Sequence, residues 1–439
     1  MRLKFIATLI SSVLITLDAH ALDLMQVYQE ALANDAVYAS ARSTLAAGAE
    51  RLPQARAGLL PTIGLGGSVN RLVGETEALG VTSDRRSTSK GYTLSLTQPL
   101  FRPANWEAFE QGKLSVAASE AQFAQARQDL IVRVAQAYFD VLTAQDALAS
   151  VQAQKAAISE QLASAKRNFE VGTTTITDTH EAQARYDLAL AQEFAAINDL
   201  EIRRAALQQI IGRPPGELDT LKPGVTLSPP EPAQIEPWVD SAETSNYGVV
   251  GQQLALEISQ REIRRNRAGH YPTLDLVASR SYNNQDGSSL TAPTSVTSEA
   301  NNIGVQWNIP LFSGFATSSR VREAIALQER ARADLLNSRR VAAQAARQAY
   351  LGVNSGLAQV RALQAAEVSS QSALESNLLG YQVGVRINID VLNAQQQLYS
   401  TRRDLARARY DTLVNSLRLK SAAGVLGEED LAQVNGLLQ

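Results

Sequence analysis

The chain has 439 residues, a formal net charge of −3 and no cysteine, and only 5% of its residues are aromatic. The absence of cysteine excludes disulfides, thiolate metal sites and a catalytic thiol, and so small a charge does not favour nucleic-acid binding. Long stretches rich in Ala, Gln, Leu, Ser and Arg favour long helices over a compact mixed core.

The N-terminus has the pattern of a secretory signal. Arg2 and Lys4 precede an apolar run, and small residues follow at Ala19 and Ala21. We therefore predict a signal peptide over residues 1–21 and export from the cytoplasm. After this segment the sequence has no run near the ~18 apolar residues of a membrane-spanning helix, so any membrane crossing must be made by strands.

Three pairs of segments recur in the same order along the chain, which indicates an internal duplication. They are "RAGLLPTIGLGGS" from Arg56 with "RAGHYPTLDLVAS" from Arg267, "PLF" at Pro99 with "PLF" at Pro310, and "FEVGTTTITD" from Phe169 with "YQVGVRINID" from Tyr381. The first two pairs have the same spacing, and the third differs by one inserted residue.

The duplication and the positions of the prolines divide the chain. We predict a first structural repeat over 22–212, a Pro-rich linker over 213–237, a second repeat over 238–424 and a C-terminal tail over 425–439. The segment Gly212 to Pro237 holds half of the 14 prolines, which no continuous helix would tolerate.

Helical periodicity in the first repeat runs over Asp23–Gly58, Pro103–Glu170 and Asp178–Ile211, and the second repeat has the same order. The two shorter helices together match the long one, which at ~1.5 Å per residue extends roughly 100 Å. Such helices belong to a rod or a cylinder. Apolar residues at coiled-coil spacing predict a buried seam between helices: Leu190, Ile197, Leu200, Leu207 and Ile211 in the first half, and Val391, Leu398, Leu405 and Leu419, interrupted by Thr412, in the second.

Between the helices, polar and apolar residues alternate with the period of a strand. We predict β-hairpins over 61–101 and 272–312, in which strands of about ten residues, near the length of a membrane-barrel strand, flank polar loops at Gly74–Lys90 and Asn283–Asn301. Two soluble hairpins that pack their apolar faces together would give the same pattern. In a membrane, four strands cannot close a barrel, so several chains must associate, and two, three or four would satisfy this count.

These segments together resemble the TolC family of outer-membrane channel-tunnels over nearly the whole chain. The resemblance implies a mainly α fold with a small β part: a homotrimer whose long antiparallel coiled-coil helices form an α-barrel in the periplasm, continued by a 12-stranded transmembrane β-barrel with four strands from each chain. Twelve helices with axes about 10 Å apart make a cylinder roughly 38 Å across. Side chains cannot fill this width, so the cylinder is hollow.

The family resemblance also implies a function and partners. Family members are passive exit ducts in the outer membrane for drug efflux or type I protein secretion, and they contact outer-membrane lipid. They work with a periplasmic adaptor protein and an inner-membrane transporter of the RND, ABC or MFS type. We therefore expect an outer-membrane protein that extends into the periplasm and uses no cofactor.

By the same resemblance, a set of polar residues closes the periplasmic entrance. The expected gate residues are Thr177, Asp178, Tyr381, Arg386, Asp390 and Asn393. Gly172 and Gly384 lie in turns that would meet the adaptor, although the need for a tight turn explains a glycine equally well.

Asp390 and Asn393 lie three residues apart, on one helix face. The family pattern has Asp at both positions and so six carboxylates in a trimer, whereas Asn393 leaves three. We expect weaker binding of multivalent cations here. Helix N-terminal capping explains Asp178 and Asp390 equally well.

Two alternatives belong to other classes: a soluble periplasmic coiled-coil scaffold and an exported enzyme. An enzyme would need a polar constellation that the sequence lacks, since His180 and His270 are far apart and no phosphate-binding loop or nucleophile motif is present. We therefore predict neither a catalytic nor a metal site.

Overall fold

The computed structural model describes residues 21–78, 80–288 and 293–439. The predicted signal peptide lies outside these ranges except for Ala21. The described part is mainly helical, with one antiparallel sheet, and each half of the chain has the same order of elements: short helices, two strands, a long helix and a shorter helix. Within the described ranges, no helix combines the length and apolarity needed to cross a membrane.

The first half has five helices and two long strands, of 17 and 21 residues. In chain order its elements are α1 (Leu24–Asn34), α2 (Ala36–Ala49), α3 (Arg51–Ala57), β1 (Thr62–Ala78), β2 (Val81–Phe101), α4 (Pro103–Glu170) and α5 (Ile176–Ile211). The long helix α4 has the predicted bounds, with Pro103 in its first turn.

The single helix expected over Asp23–Gly58 is broken at Asp35 and at Glu50, so that prediction was wrong in this detail. Asp35 has an extended backbone, and its carboxylate accepts a hydrogen bond from the Tyr38 amide (2.6 Å) as the N-cap of α2. The same carboxylate pairs with Arg133 on α4 at 3.0 Å. A buried acid that caps one helix and anchors it to another therefore interrupts the helix.

The second half repeats this order. Its elements are α6 (Glu236–Ser245), α7 (Tyr247–Arg267), a 3₁₀ turn (Ala268–His270), β3 (Thr273–Ser288), β4 (Pro293–Asn308), α8 (Ala316–Gln382), α9 (Asn388–Ala422) and α10 (Glu428–Asn435). Short helices pack along one end of each long helix, and α5 or α9 packs along the other. The two halves contact each other through α4, which also packs against α7 and α9.

The four strands form one sheet in the order β1-β2-β3-β4, and every neighbouring pair is antiparallel. The pairing of β2 with β3 joins the two halves, and Tyr92 stacks on Tyr282 across it with ring centroids 5.4 Å apart. Strands β1 and β4 are the two edges, and neither has a second neighbour among the described residues.

One face of the sheet is apolar and exposed. The alternation predicted from the sequence places on it Ile63, Leu65, Val69, Leu94, Ile303, Val305 and Trp307. Six of these seven side chains are more than half exposed, and Leu94 is 45% exposed. In this chain alone, nothing in the described structure covers the face.

The polar loops expected at Gly74–Lys90 and Asn283–Asn301 were largely wrong, because most of these residues continue the strands. Gly74 pairs with Arg85, and Asn283 pairs with Ser298. Backbone pairing depends little on side-chain polarity, and these stretches lack the alternation that marks a sheet with one apolar face.

The predicted coiled-coil seam is mostly buried. Val391, Leu398 and Leu405 on α9 are at most 3% exposed. Thr412 is also buried, and its hydroxyl donates to the Ala408 carbonyl at 2.7 Å, which satisfies the one polar position in the seam. On α5, Leu200 and Leu207 are buried whereas Ile197 is 41% exposed.

The largest core lies where the linker crosses the helices. It includes Tyr138 and Phe139 on α4, Leu207 on α5, Tyr410 on α9 and Leu431 on α10. The Tyr138 hydroxyl donates to the carbonyls of Leu22 (3.0 Å) and Asp219 (2.8 Å), so the core binds both the start of the first half and the linker. Leu22 also forms a bridge with Leu218, and Leu438 with Leu221.

A buried polar pair adjoins this core. The Tyr410 hydroxyl donates to the Asp146 carboxylate at 2.8 Å. Burial raises the pKa of Asp146 above its usual range, against the opposing effects of that hydrogen bond and of Arg409.

Candidate functional site: the tip turns

Two turns reverse the chain at the end of the helices that lies away from the sheet. We call them the tip turns: tip turn 1 is Val171–Thr175, between α4 and α5, and tip turn 2 is Val383–Ile387, between α8 and α9. Each contains a glycine with positive φ, +76° at Gly172 and +79° at Gly384. A Cβ atom on either glycine would meet nothing within 4 Å, so backbone conformation alone requires glycine there.

Both tip turns close their helices in the same way. In tip turn 1 the amide of Thr173 donates to the Asn168 carbonyl at 2.9 Å, and in tip turn 2 the amide of Val385 donates to the Gly380 carbonyl at 2.9 Å. A left-handed residue followed by this longer-range hydrogen bond is a Schellman-type helix end. The sequence repeat therefore reflects one backbone motif made twice.

Asp178 and Asp390 both lie in the first turn of the helix that follows a tip turn. The amide of Thr175 donates to the Asp178 carboxylate at 3.3 Å, so this acid does act in helix capping. The Asp390 carboxylate lies 3.6 Å from the guanidinium of Arg386, which comes four residues earlier in the chain, and both side chains are substantially exposed. Two of the predicted gate residues thus form one ion pair within the chain.

Tyr381 connects the two halves at the tips. Its hydroxyl accepts a hydrogen bond from the Asn168 carboxamide at 3.3 Å, and its ring packs against the small core of Leu374, Val391 and Leu398. Thr177 is exposed, and its hydroxyl has no hydrogen bond with any residue in the described ranges. The structure therefore brings Tyr381 into a contact between halves and leaves Thr177 on the surface.

A buried amide network, which the sequence did not indicate, fixes the two tip turns relative to each other. Asn388, only 1% exposed, donates to the Asp178 carbonyl at 3.1 Å. The Oδ1 atom of the Asn388 side chain accepts a hydrogen bond from the Gln161 carboxamide at 2.6 Å. Because these residues belong to α4, α5 and α9, one side chain ties three helices from both halves.

Arg185 is a second contact that sequence reasoning missed. Its guanidinium donates to the side-chain oxygens of Gln396 (Oε1, 2.5 Å) and Asn393 (Oδ1, 3.0 Å), and these contacts link α5 to α9. The residue that departs from the family pattern, Asn393, therefore has an arginine beside it. No sequence signal marked Arg185, and its proximity to Asn393 could not be read from the sequence.

The tip region has polar contacts and ion pairs. Across residues 21–78, 80–288 and 293–439, no group of three or more His, Cys, Asp or Glu side chains could hold a metal ion. What this geometry can do is hold two helical hairpins together through a few contacts that can be broken and remade.

The fold, the duplication and the paired tip turns define an outer membrane efflux protein, and the chain belongs to that family: the family model matches residues 27–213 and 238–425. The chain is 35% identical to the outer membrane protein TolC of Escherichia coli, over 96% of this chain and 86% of that protein. It is also 35% identical to the proteases secretion protein PrtF of Dickeya chrysanthemi, over 96% of this chain and 92% of that protein.

Solved structures agree with the family assignment at the level of fold. The outer membrane protein VceC of Vibrio cholerae superposes with a TM-score of 0.77 at 19% identity, covering 91% of this chain and 96% of that one. The open state of the MtrE outer membrane channel of Neisseria gonorrhoeae gives a TM-score of 0.71 at 20% identity, covering 92% and 89%. The predicted mainly α fold with a small β part is confirmed, and the soluble scaffold receives no support.

Proposed function

We propose that the protein is the passive outer-membrane exit duct of a tripartite export system. The observation that carries this proposal is an exposed apolar sheet face at one end of helices of about 100 Å. A face this apolar on a soluble monomer would be a liability, whereas lipid would cover it. From Leu274 to Tyr282, strand β3 extends about 27 Å, which suits the apolar band of ~25 Å in outer-membrane barrels.

Association follows from the sheet edges. Strands β1 and β4 expose unpaired backbone groups, and lipid offers no partner for them. Identical chains that pair β4 of one with β1 of the next would close the sheet. Three chains, the number expected for the family, give a barrel of 12 strands continued by 12 helices, with export directed by the N-terminal signal.

The tip turns form the entrance in this arrangement. Two turns from each chain give six around the mouth, where Thr177, Asp178, Tyr381, Arg386, Asp390 and Asn393 act in closing and ion selection. Gly172 and Gly384 place the tips against a periplasmic adaptor protein, and the energy comes from an inner-membrane transporter. The names of the relatives support export as the role, and PrtF is named for secretion of proteases.

Planar-bilayer recording tests the proposal. Purified full-length protein should insert from detergent and give discrete conductance steps that favour cations. The same protein unfolded by heat before addition is the control for detergent leakage. A chain that stays monomeric in plain buffer and gives no conductance steps contradicts the duct.

The absence of native cysteine permits a second test of the tips. Asn168→Cys with Tyr381→Cys places thiols at a contact between the halves, and a short bifunctional maleimide would bridge them. Bridging should block export, and each single variant treated in the same way should export normally. Unimpaired export by the bridged double variant would show that these halves do not separate when the entrance opens.

A further inference from the structure

A small cavity lies between α4, α5 and α9, just beyond the buried amide network. Its volume is about 60 Å³. It is lined by three kinds of residue: arginines, neutral polar side chains and aliphatic side chains. Its polar lining includes Gln154, Arg185, Gln192, Ser400 and Arg403.

The cavity has two positive charges and no negative one. Arg185 and Arg403 line it from α5 and α9, and none of its ten lining residues is Asp or Glu. Arg185 donates only to neutral amides, and Arg403 forms no ion pair with any residue of the described ranges. Glu193, which follows Gln192 on α5, is already paired with Lys155.

Neutral groups that could bind a ligand also line the cavity. Gln154 is only 8% exposed, yet its carboxamide forms no hydrogen bond with the described part of the chain. Gln192 and Ser400 are only half-buried, and their side chains likewise form no hydrogen bond with the described residues. The polar atoms of the Gln154 carboxamide are not sealed from solvent, so they are available to a ligand in the cavity.

We propose that this cavity binds one small inorganic oxyanion, such as phosphate or sulfate. Planar guanidinium groups donate two parallel hydrogen bonds to an oxyanion, which a halide cannot accept in the same way. At ~15 Å³ for each water, the cavity has room for about four waters, or for one tetrahedral anion in their place. A lipid headgroup or an organic cargo molecule would not fit.

The bound anion would join the two halves of the chain. Arg185 belongs to the first repeat and Arg403 to the second, and Gln154 adds a contact from α4. Two like charges line the cavity from α5 and α9, and a bound anion would bridge them. The binding site does not depend on the duct, because it is formed within one chain.

Phosphate titration of the purified full-length protein in detergent tests the proposal, by calorimetry and by ³¹P line broadening. Arg403→Gln and Arg185→Gln should each weaken phosphate binding about tenfold or more, since each removes a charge-assisted hydrogen bond. The matched control is Arg402→Gln, which removes the same charge one residue away, where Arg402 instead pairs with Glu367 at 3.1 Å. Circular dichroism and thermal unfolding check that each variant is folded.

Retention of phosphate binding by Arg402→Gln with its loss in both cavity variants supports the site. Equal binding by all three variants, or no phosphate binding by the unaltered protein even in large excess over the protein, overturns it. Displacement of phosphate by equimolar chloride would also overturn the oxyanion assignment. Conductance in bilayers is measured separately, so failure of the duct and failure of the anion site are distinguishable.

Discussion

Replacement of Asn388 by Ala tests whether the buried amide network holds the tip turns. The change removes both hydrogen bonds of the Asn388 side chain, the one accepted from Gln161 at 2.6 Å and the one donated to the Asp178 carbonyl at 3.1 Å. Gln161 is itself only 7% exposed, so its carboxamide would lose a partner that water cannot readily replace.

The expected cost follows from these contacts. An unsatisfied buried donor costs about 1–3 kcal/mol, and a second lost hydrogen bond about 1 kcal/mol more, giving about 2–4 kcal/mol in local stability. A tenfold change in an equilibrium constant corresponds to about 1.4 kcal/mol, so opening of this region should become about 30- to 900-fold more frequent. The protection of the unaltered protein sets the upper limit.

Amide hydrogen exchange measures this opening directly. The backbone amides in the first two turns of α9 should exchange faster in Asn388→Ala by the factor above. The control is Gln397→Ala, an amide truncation on an exposed side chain of α9 whose only side-chain partner is Thr401 of the same helix, and it should change exchange by about twofold at most. If Asn388→Ala exchanges no faster than this control, the network does not stabilise the tips.

Three further predictions concern other parts of the molecule. Gly384→Ala should lower the free energy of unfolding by only about 1 kcal/mol, which is the cost of an alanine in the left-handed conformation. Gly424→Ala has a similar φ but should lower it more, because the new Cβ would collide with a backbone carbonyl at the end of α6. Equal losses for the two variants in denaturant unfolding would contradict this. Asp146→Asn should raise the melting temperature at neutral pH, and this gain should shrink as the pH falls towards about 4. Because the pKa of Asp146 is raised in the folded protein, protonation of Asp146 stabilises the fold at low pH, and this stabilisation is lost as the pH rises. A gain in melting temperature that does not depend on pH would refute the reasoning. In bilayers, Asn393→Asp should strengthen block by multivalent cations only in part, because Arg185 lies 3.0 Å from the Asn393 side chain and would offset the new carboxylate. The double variant with Arg185→Gln should show stronger block than the single variant, and equal block by the two would place Arg185 elsewhere in the assembled duct.

Much of the architecture could be predicted from sequence because it depends on local signals. Pro103 and Gly172 mark the two ends of α4, and the recurring "VG" segments mark the tip turns. Period-two alternation located the sheet only where one face is apolar. The polar continuations of the strands were missed since pairing partners, and not side chains, extend them.

The contacts at the site could be predicted only in part. The acids after each tip turn were identified through the family resemblance, and helix N-termini also favour acids at these positions. The partnerships Gln161–Asn388 and Arg185–Asn393 join residues more than 200 positions apart, and their formation depends on the rotation of each helix about its axis. Over helices this long, a small error in helical phase changes which side chains meet, so sequence spacing does not determine these pairs.

The bridges that Leu22 and Leu438 make to the linker have a consequence for how the polypeptide could be rearranged. Their partners Leu218 and Leu221 are three residues apart, or about 10 Å along an extended segment. A connector of a few residues could therefore join position 439 to position 22, and new ends could be opened near Gly224. Such a circular permutant would place the second repeat before the first, and we expect it to fold to the same structure because the contacts between repeats do not depend on which one is synthesised first.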